Sequence, residues 1–124
     1  MAAFTEYFNG AATGINAVGT TTTGTVLDVS MREQIALVFT ANTWASGSGV
    51  FTVDASNDGT NWVTSIAMAN AVGTTSTTYV TSKTLGSATS DAMYLPFFPY
   101  KLLRIVCTVS GTGTYTATVE GQGS

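Results

Sequence analysis

The stretch Phe51-Thr-Val-Asp-Ala-Ser-Asn-Asp-Gly-Thr-Asn-Trp62 decides the fold of this chain. Its first six residues alternate between apolar side chains, at Phe51, Val53 and Ala55, and polar side chains between them. A period of two is typical of a β-strand with one buried and one solvated face. The pattern therefore predicts a strand whose apolar residues face a core and whose Asp54 points toward solvent.

A tight turn follows this strand. Asn57-Asp58-Gly59 supplies residues that tolerate positive φ, which a reversal between antiparallel strands requires. Trp62 then returns the chain, and its large apolar ring is expected to close one end of the core. Asp58, Gly59 and Trp62 are therefore predicted to have structural roles.

The rest of the chain repeats the period of two in short segments, separated by turns rich in Gly, Ser or Pro, and shows no helical period. This pattern predicts an all-β fold in which two antiparallel sheets pack as a β-sandwich, a jelly roll of about eight strands. The predicted strands are 25–31, 34–41, 51–56, 63–68, 76–84, 91–95, 100–110 and 114–120. Residues 42–49 and 111–113 are predicted turns, and the second makes 110–119 a final hairpin.

Alternation within these segments also predicts the core. The residues expected to face inward are Leu27, Val29, Met31, Ile35, Leu37, Phe39, Ala41, Leu103, Ile105, Cys107 and Val109. Arg104 lies on the opposite face, where we expect a structural ion pair with Asp54 or Asp91 that contributes under about 1 kcal/mol. Cys107 is expected to be a buried thiol and not a nucleophile, because the chain has no histidine to activate it.

Residues 1–24 differ from the rest. Three aromatic residues, Phe4, Tyr7 and Phe8, precede a run of Gly, Ala and Thr. This composition is also that of a disordered end, but the aromatic residues favour an extended N-terminal arm that docks on a neighbouring subunit. We therefore predict an arm over 1–24 and a β-sandwich domain over 25–124, which should stay folded without the arm.

Composition excludes several functions. The net charge is -3, with four Lys and Arg against seven Asp and Glu, so no basic surface is expected to bind nucleic acid. Charged residues make up only 9% of the chain, far fewer than is usual in a soluble domain. The surface is therefore expected to consist largely of Thr and Ser hydroxyl groups and to be covered in part by other subunits.

The chain also lacks the marks of export or membrane insertion. Its first residues do not have the basic start and apolar run of a signal peptide. No apolar stretch approaches the roughly 20 residues that span a bilayer. A single cysteine cannot form an intrachain disulfide. The protein is therefore expected to be made in a cytoplasm and to have no membrane partner.

Two segments carry a resemblance to known families: the stretch ending at Trp62, and Tyr100-Lys-Leu-Leu-Arg-Ile-Val-Cys-Thr-Val-Ser110. Together they resemble the Ser-x-Asp-Gly-x-x-Trp hairpin and the late Tyr-x-x-x-Arg-Ile strand of discoidin-like β-sandwich domains. With Ser110-Gly-Thr-Gly-Thr-Tyr-Thr-Ala-Thr-Val119 they are also similar to small structural proteins of tailed bacteriophages. Secreted discoidin-type lectins usually carry a signal peptide and often disulfides, and neither is expected in this chain. The resemblance to the phage proteins is therefore favoured.

The chain offers few candidates for chemistry. Asp54, Ser56 and Asp58 fit the first half of a calcium loop, but Ser65 stands where such a loop needs a bidentate Glu. The Ser and Thr hydroxyl groups have no recognisable general base, and no paired carboxylates for glycoside cleavage can be assigned. We therefore predict no enzyme, no metal site and no cofactor.

Aromatic residues are the candidates for contact with a partner. Trp44 lies in a predicted Ser/Gly loop and is expected to be exposed. Phe97 and Phe98 are adjacent, so in an extended chain one faces inward and the other is available to a neighbour. With Phe4, Tyr7 and Phe8 of the arm, these residues form the predicted partner-binding set.

Two functions fit these observations. The first is a virion structural protein, made in the host cytoplasm, that decorates or cements a phage capsid or forms part of a head or tail appendage. Its partners would be the major capsid protein, other virion subunits or copies of itself in a homo-oligomer. The alternative is a carbohydrate-binding module that stacks a sugar on a loop aromatic residue such as Trp44.

Overall fold

The computed structural model describes residues 5–7, 10–30, 32–70, 78–95 and 98–123. None of these residues belongs to a helix that could cross a membrane. The all-β, antiparallel fold predicted from the sequence is confirmed. The strands of the described residues are β1 Thr5–Tyr7, β2 Gly10–Val18, β3 Thr22–Thr23, β4 Val26–Asp28, β5 Arg32–Ser56, β6 Met68–Ala69, β7 Tyr79–Val80, β8 Lys83–Leu85, β9 Ser90–Leu95 and β10 Leu102–Gly123.

Two long strands organise the sheet. β5 has 25 residues and β10 has 22, and they pair antiparallel from Leu102 opposite Ser56 to Gly123 opposite Arg32. β2, β3 and β4 pair with β10, while β8 and β9 pair with β5. β6 and β7 extend the sheet beyond β9, and β1 lies parallel to β4. The described residues thus form one ten-stranded sheet.

This sheet folds back on itself to make two layers. Phe39 and Phe51 lie on the same strand, β5, yet their rings stack with centroids 4.4 Å apart. Twelve residues of straight strand would span about 40 Å. β5 must therefore bend between Phe39 and Phe51. The rings of Tyr115 and Phe51 also meet in a T-shaped arrangement, with centroids 6.2 Å apart. A core between two layers therefore comes from bent strands that belong to both.

The bend lies at two glycines. Gly47 of β5 and Gly111 of β10 are opposite each other, and each has a φ of +76°. A Cβ atom on Gly47 would overlap the carbonyl oxygen of Ser110, and one on Gly111 would overlap that of Ser46. Only glycine satisfies both the left-handed backbone and this close approach. We call Gly47 and Gly111, with the bend they form, the glycine corner.

The glycine corner corrects two predictions. Residues 42–49 and 111–113 are not turns between separate strands, and 110–119 is not a hairpin, because β5 and β10 run through both segments. The ladder continues because the glycines bend it and register shifts beside Gly113 and Tyr115 absorb the change in direction. Glycine-rich sequence here marks a bend within paired strands.

The predicted core is largely confirmed. The residues buried as expected are Leu27, Val29, Ile35, Leu37, Phe39, Ala41, Phe51, Val53, Ala55, Leu103, Ile105 and Cys107. Val109 is half-buried and packs against this core. Met31 lies outside the described residues.

The described parts of the N-terminal segment belong to the sheet, since β1 pairs with β4 and both β2 and β3 pair with β10. β2 pairs with the second half of β10, from Val18 opposite Tyr115 to Gly10 opposite Gly121, and Ile15 is buried in the core. The predicted arm therefore cannot be removed over 10–23 without breaking strands. Of its three aromatic residues, Tyr7 ends β1, whereas Phe4 and Phe8 lie outside the described residues.

Two predicted strands are interrupted. In 63–68 only Val63 forms a bridge, to Ala55, before β6 begins at Met68. Ser65 between them has a φ of +58°, which breaks an extended run. Within the described part of 76–84, the chain forms two short strands, β7 and β8.

Candidate functional site

A cluster of polar side chains lies where the first half of β10 pairs with the second half of β5. Arg104 and Asp54 are opposite each other in the β5–β10 register. Their side chains form an ion pair, with Arg104 Nε 3.1 Å from Asp54 Oδ2. Of the two carboxylates predicted as partners of Arg104, Asp54 therefore forms the pair. Asp91 pairs instead with Lys83, at 2.7 Å.

Asp54 is buried, not solvated as predicted. Its side chain is 5% exposed, because the chain after the turn folds over this part of the strand. That segment is held by hydrogen bonds between the backbones of Val63 and Ala55, and from Ile66 N–H to the Val53 carbonyl. Ser65 N–H also donates to Asp54 Oδ1, at 3.3 Å. A carboxylate in this position needs its cationic partner, because an unpaired buried charge is strongly unfavourable.

Trp62 lies beneath the Arg104 side chain. The guanidinium carbon is 4.1 Å from the centroid of the indole ring, a cation–π contact. Trp62 is half-buried and is not among the residues of the hydrophobic core, so the prediction that it closes the core is wrong. Its ring instead covers one face of the charged group. We call Asp54, Trp62 and Arg104 the Arg104 cluster.

The turn that leads to Trp62 is a network of internal hydrogen bonds. Asp58 Oδ1 accepts the backbone N–H groups of Asn61, at 2.8 Å, and Thr60, at 2.9 Å. Asp58 Oδ2 accepts the side-chain amide of Asn61, and the Ser56 hydroxyl accepts the backbone N–H groups of Asp58 and Gly59. Gly59 has a φ of +77°, as the turn requires. The N–H of Asn61, then that of Thr60, lower the pKa of Asp58 far below its ordinary value.

This network uses the oxygens that a cation would need. Both carboxylate oxygens of Asp58 accept hydrogen bonds from the turn, and Asp54 is bound to Arg104. Across the described ranges, no group of three His, Cys, Asp or Glu residues is placed to hold a metal ion. The arrangement is suited to fixing the turn against the sheet.

Cys107 is placed as predicted. It faces the core and is fully buried, and burial raises the pKa of its thiol to about 11. The thiol is therefore protonated at neutral pH and is a poor nucleophile.

Of the predicted partner-binding residues, the structure describes the side chains of Trp44 and Phe98. Trp44 lies within β5, beside the glycine corner, with 38% of its surface exposed, and its indole N–H donates to the Gly47 carbonyl at 2.9 Å. Phe98 packs against the core, near the ring of Tyr100. Phe97 lies outside the described residues. Contact of each of these aromatic residues with a protein or a glycan stays a prediction.

Among the described residues, the large apolar side chain with the highest exposure was not predicted as a contact. Tyr79 is 62% exposed, and it lies beside Val80, which is 37% exposed, in the two-residue strand β7. Among the strands that the structure describes, β7 is the last of the sheet on this side. The alternation around Tyr79 predicts a strand, but a single sequence does not show which strands lie beside it.

Comparisons with known proteins find a likeness in structure and none in sequence. No protein-family model matches the chain, and no curated protein matches it. The chain is similar to the crystal structure of the SPBc2 prophage-derived protein YomS, with a TM-score of 0.69 and 10% sequence identity. The similarity covers 90% of this chain and 91% of the other. At this identity it shows that the two chains share a fold over nearly their whole lengths.

Proposed function

We propose that this protein is a non-enzymatic structural component of a phage particle, which decorates or cements the capsid or forms part of a head or tail appendage. The observation that carries the proposal is the similarity to a prophage-derived protein over 90% of the chain. The resemblance of the hairpin and of the late strand to phage structural proteins supports the same assignment independently.

The surface fits a role in assembly. Two of the few charged groups are held in the Arg104 cluster, two form the Lys83–Asp91 pair, and Asp58 is bound within its turn. Elsewhere, hydroxyl groups pair across the long strands, for example Thr43 with Thr114 at 2.9 Å. A surface of this kind has little charge to desolvate when it is buried against another subunit.

The test is to find the protein in purified particles. An epitope-tagged chain is produced in the host during particle formation, and the particles are purified on a density gradient. We expect the chain to co-sediment with the major capsid protein in a fixed ratio that survives high salt. A tagged unrelated β-sandwich of similar size is the control. Recovery of the chain only in the soluble fraction would refute the proposal.

A further inference from the structure

We infer that β7 is a self-association edge, at which the strand pairs antiparallel with β7 of a second copy of the chain. The inference does not rest on the proposed function, since it concerns the isolated protein. It starts from Tyr79 and Val80, two exposed apolar residues on the last strand of the sheet as formed by residues 5–7, 10–30, 32–70, 78–95 and 98–123. An unprotected edge strand is a template for another strand.

The backbone of β7 has hydrogen-bonding groups to offer. Among the residues described, β7 pairs only with β6, with Ala69 opposite Tyr79 and Met68 opposite Val80. Asn70 N–H donates to the Thr78 carbonyl at 3.0 Å, and Thr78 N–H donates to Asn70 Oδ1 at 2.8 Å, so both backbone groups of Thr78 point toward β6. Because these groups alternate in direction along an antiparallel strand, the N–H and C=O of Tyr79 point away from β6.

A second copy supplies the matching groups. If Tyr79 lies opposite Tyr79 of the second copy, each N–H donates to the other C=O across a two-fold axis. The same register places the two tyrosine rings on one face as a cross-strand aromatic pair and sets Thr78 opposite Val80. A strand with a single outward-facing residue can satisfy itself by this reciprocal pairing.

The lack of charge along this edge also favours pairing with a second copy. Residues 78–82 carry no charge, so a copy placed against them meets no like charge. The next residue, Lys83, is neutralised by Asp91 at 2.7 Å. Natural edge strands commonly carry an unpaired lysine or a proline that prevents such pairing, and residues 78–82 contain neither.

Sedimentation velocity over a concentration series tests the inference. We expect the full chain to show a reversible monomer–dimer equilibrium. Tyr79→Lys should raise the dissociation constant by about tenfold or more, because both copies lose a cross-strand contact and gain a facing like charge. Ser87→Lys, which adds the same charge at an exposed position outside β7, should leave the constant unchanged.

A second variant distinguishes the contribution of the β7 backbone from that of the Tyr79 ring. Tyr79→Pro removes the outward N–H while the bonds to β6 remain, a position where proline is tolerated in sheets. With an unchanged circular dichroism spectrum, it should also be monomeric. A wild-type chain that stays monomeric at every concentration, or a dimer that Tyr79→Lys and Tyr79→Pro leave intact, overturns the inference. Either result leaves the incorporation of the chain into particles to be decided separately.

Discussion

Phe39 and Phe51 stack face to face at 4.4 Å, with an interplanar angle of 11°, although twelve positions on one strand separate them. Each ring is fully buried. The contact joins the two layers of the fold and forms only when β5 bends between the rings. The stability of the core is therefore expected to depend on residues at the bend that touch neither ring.

Gly47→Ala is expected to lower the free energy of unfolding by at least about 2 kcal/mol, because Ala is strained at positive φ and its Cβ overlaps the Ser110 carbonyl. Chemical denaturation followed by tryptophan fluorescence measures the change. Gly86→Ala is the matched control, since its Cβ meets nothing nearer than 3.9 Å, and it should shift stability by under about 0.5 kcal/mol. Equal effects of both variants would contradict the role of the bend.

The two ion pairs should differ in value. Arg104→Ala leaves Asp54 buried without its partner and is expected to cost about 3 kcal/mol. Lys83→Ala breaks a pair whose side chains are 29% and 48% exposed and should cost under about 1 kcal/mol. Denaturation curves of Arg104→Ala and Lys83→Ala measure the two costs. The curves of Asp54→Ala and of the double variant Arg104→Ala/Asp54→Ala then measure the interaction between Arg104 and Asp54. Full additivity in the double variant would mean that the two side chains do not interact.

Tyr115 carries an unusual hydroxyl group. The residue is fully buried, and within the described part of the chain its Oη has no hydrogen-bond partner. Burying an unpaired hydroxyl costs about 1–3 kcal/mol, so Tyr115→Phe is expected to raise the free energy of unfolding by about 1 kcal/mol. Tyr115→Leu, which removes the ring, should instead lower it by about 2–4 kcal/mol. A loss of stability in Tyr115→Phe would show that the hydroxyl has a partner.

The sequence was most informative where side chains alternate. The burial of Leu37, Phe39 and Val53 follows from period two alone, because each segment has one face in the core. The glycine corner was not predictable, since Gly47 and Gly111 have the composition of a turn, and only their pairing across β5 and β10 shows that the strands continue.

The Arg104 cluster was predicted in part. The choice between Asp54 and Asp91 could not be made from the sequence, because it depends on which strand pairs with β10. The burial of Asp54 depends on the segment after Trp62, whose bridge at Val63 and left-handed Ser65 have no periodic signature. Side chains fixed by long-range register, and not by local period, were those that the sequence did not place.

Asp58 provides the last prediction, on pH dependence. Its pKa in the folded state is lowered by hydrogen bonds from the turn, so it stabilises the fold above the ordinary carboxyl pKa of about 4, and that contribution is lost as the pH falls toward the lowered value. Asp58→Ala should therefore flatten the decrease in the free energy of unfolding between about pH 5 and pH 2.

Asp91 serves as the comparison, since a hydrogen bond and charge attraction from Lys83 lower its pKa too. Because that pair is exposed, about 1 M salt should screen much of its share of the acid dependence. The share of Asp58 comes from uncharged N–H donors at 2.8–2.9 Å and should persist in salt. An acid dependence that salt abolishes in the wild type and in Asp91→Ala alike would assign the effect to ion pairs and not to the turn.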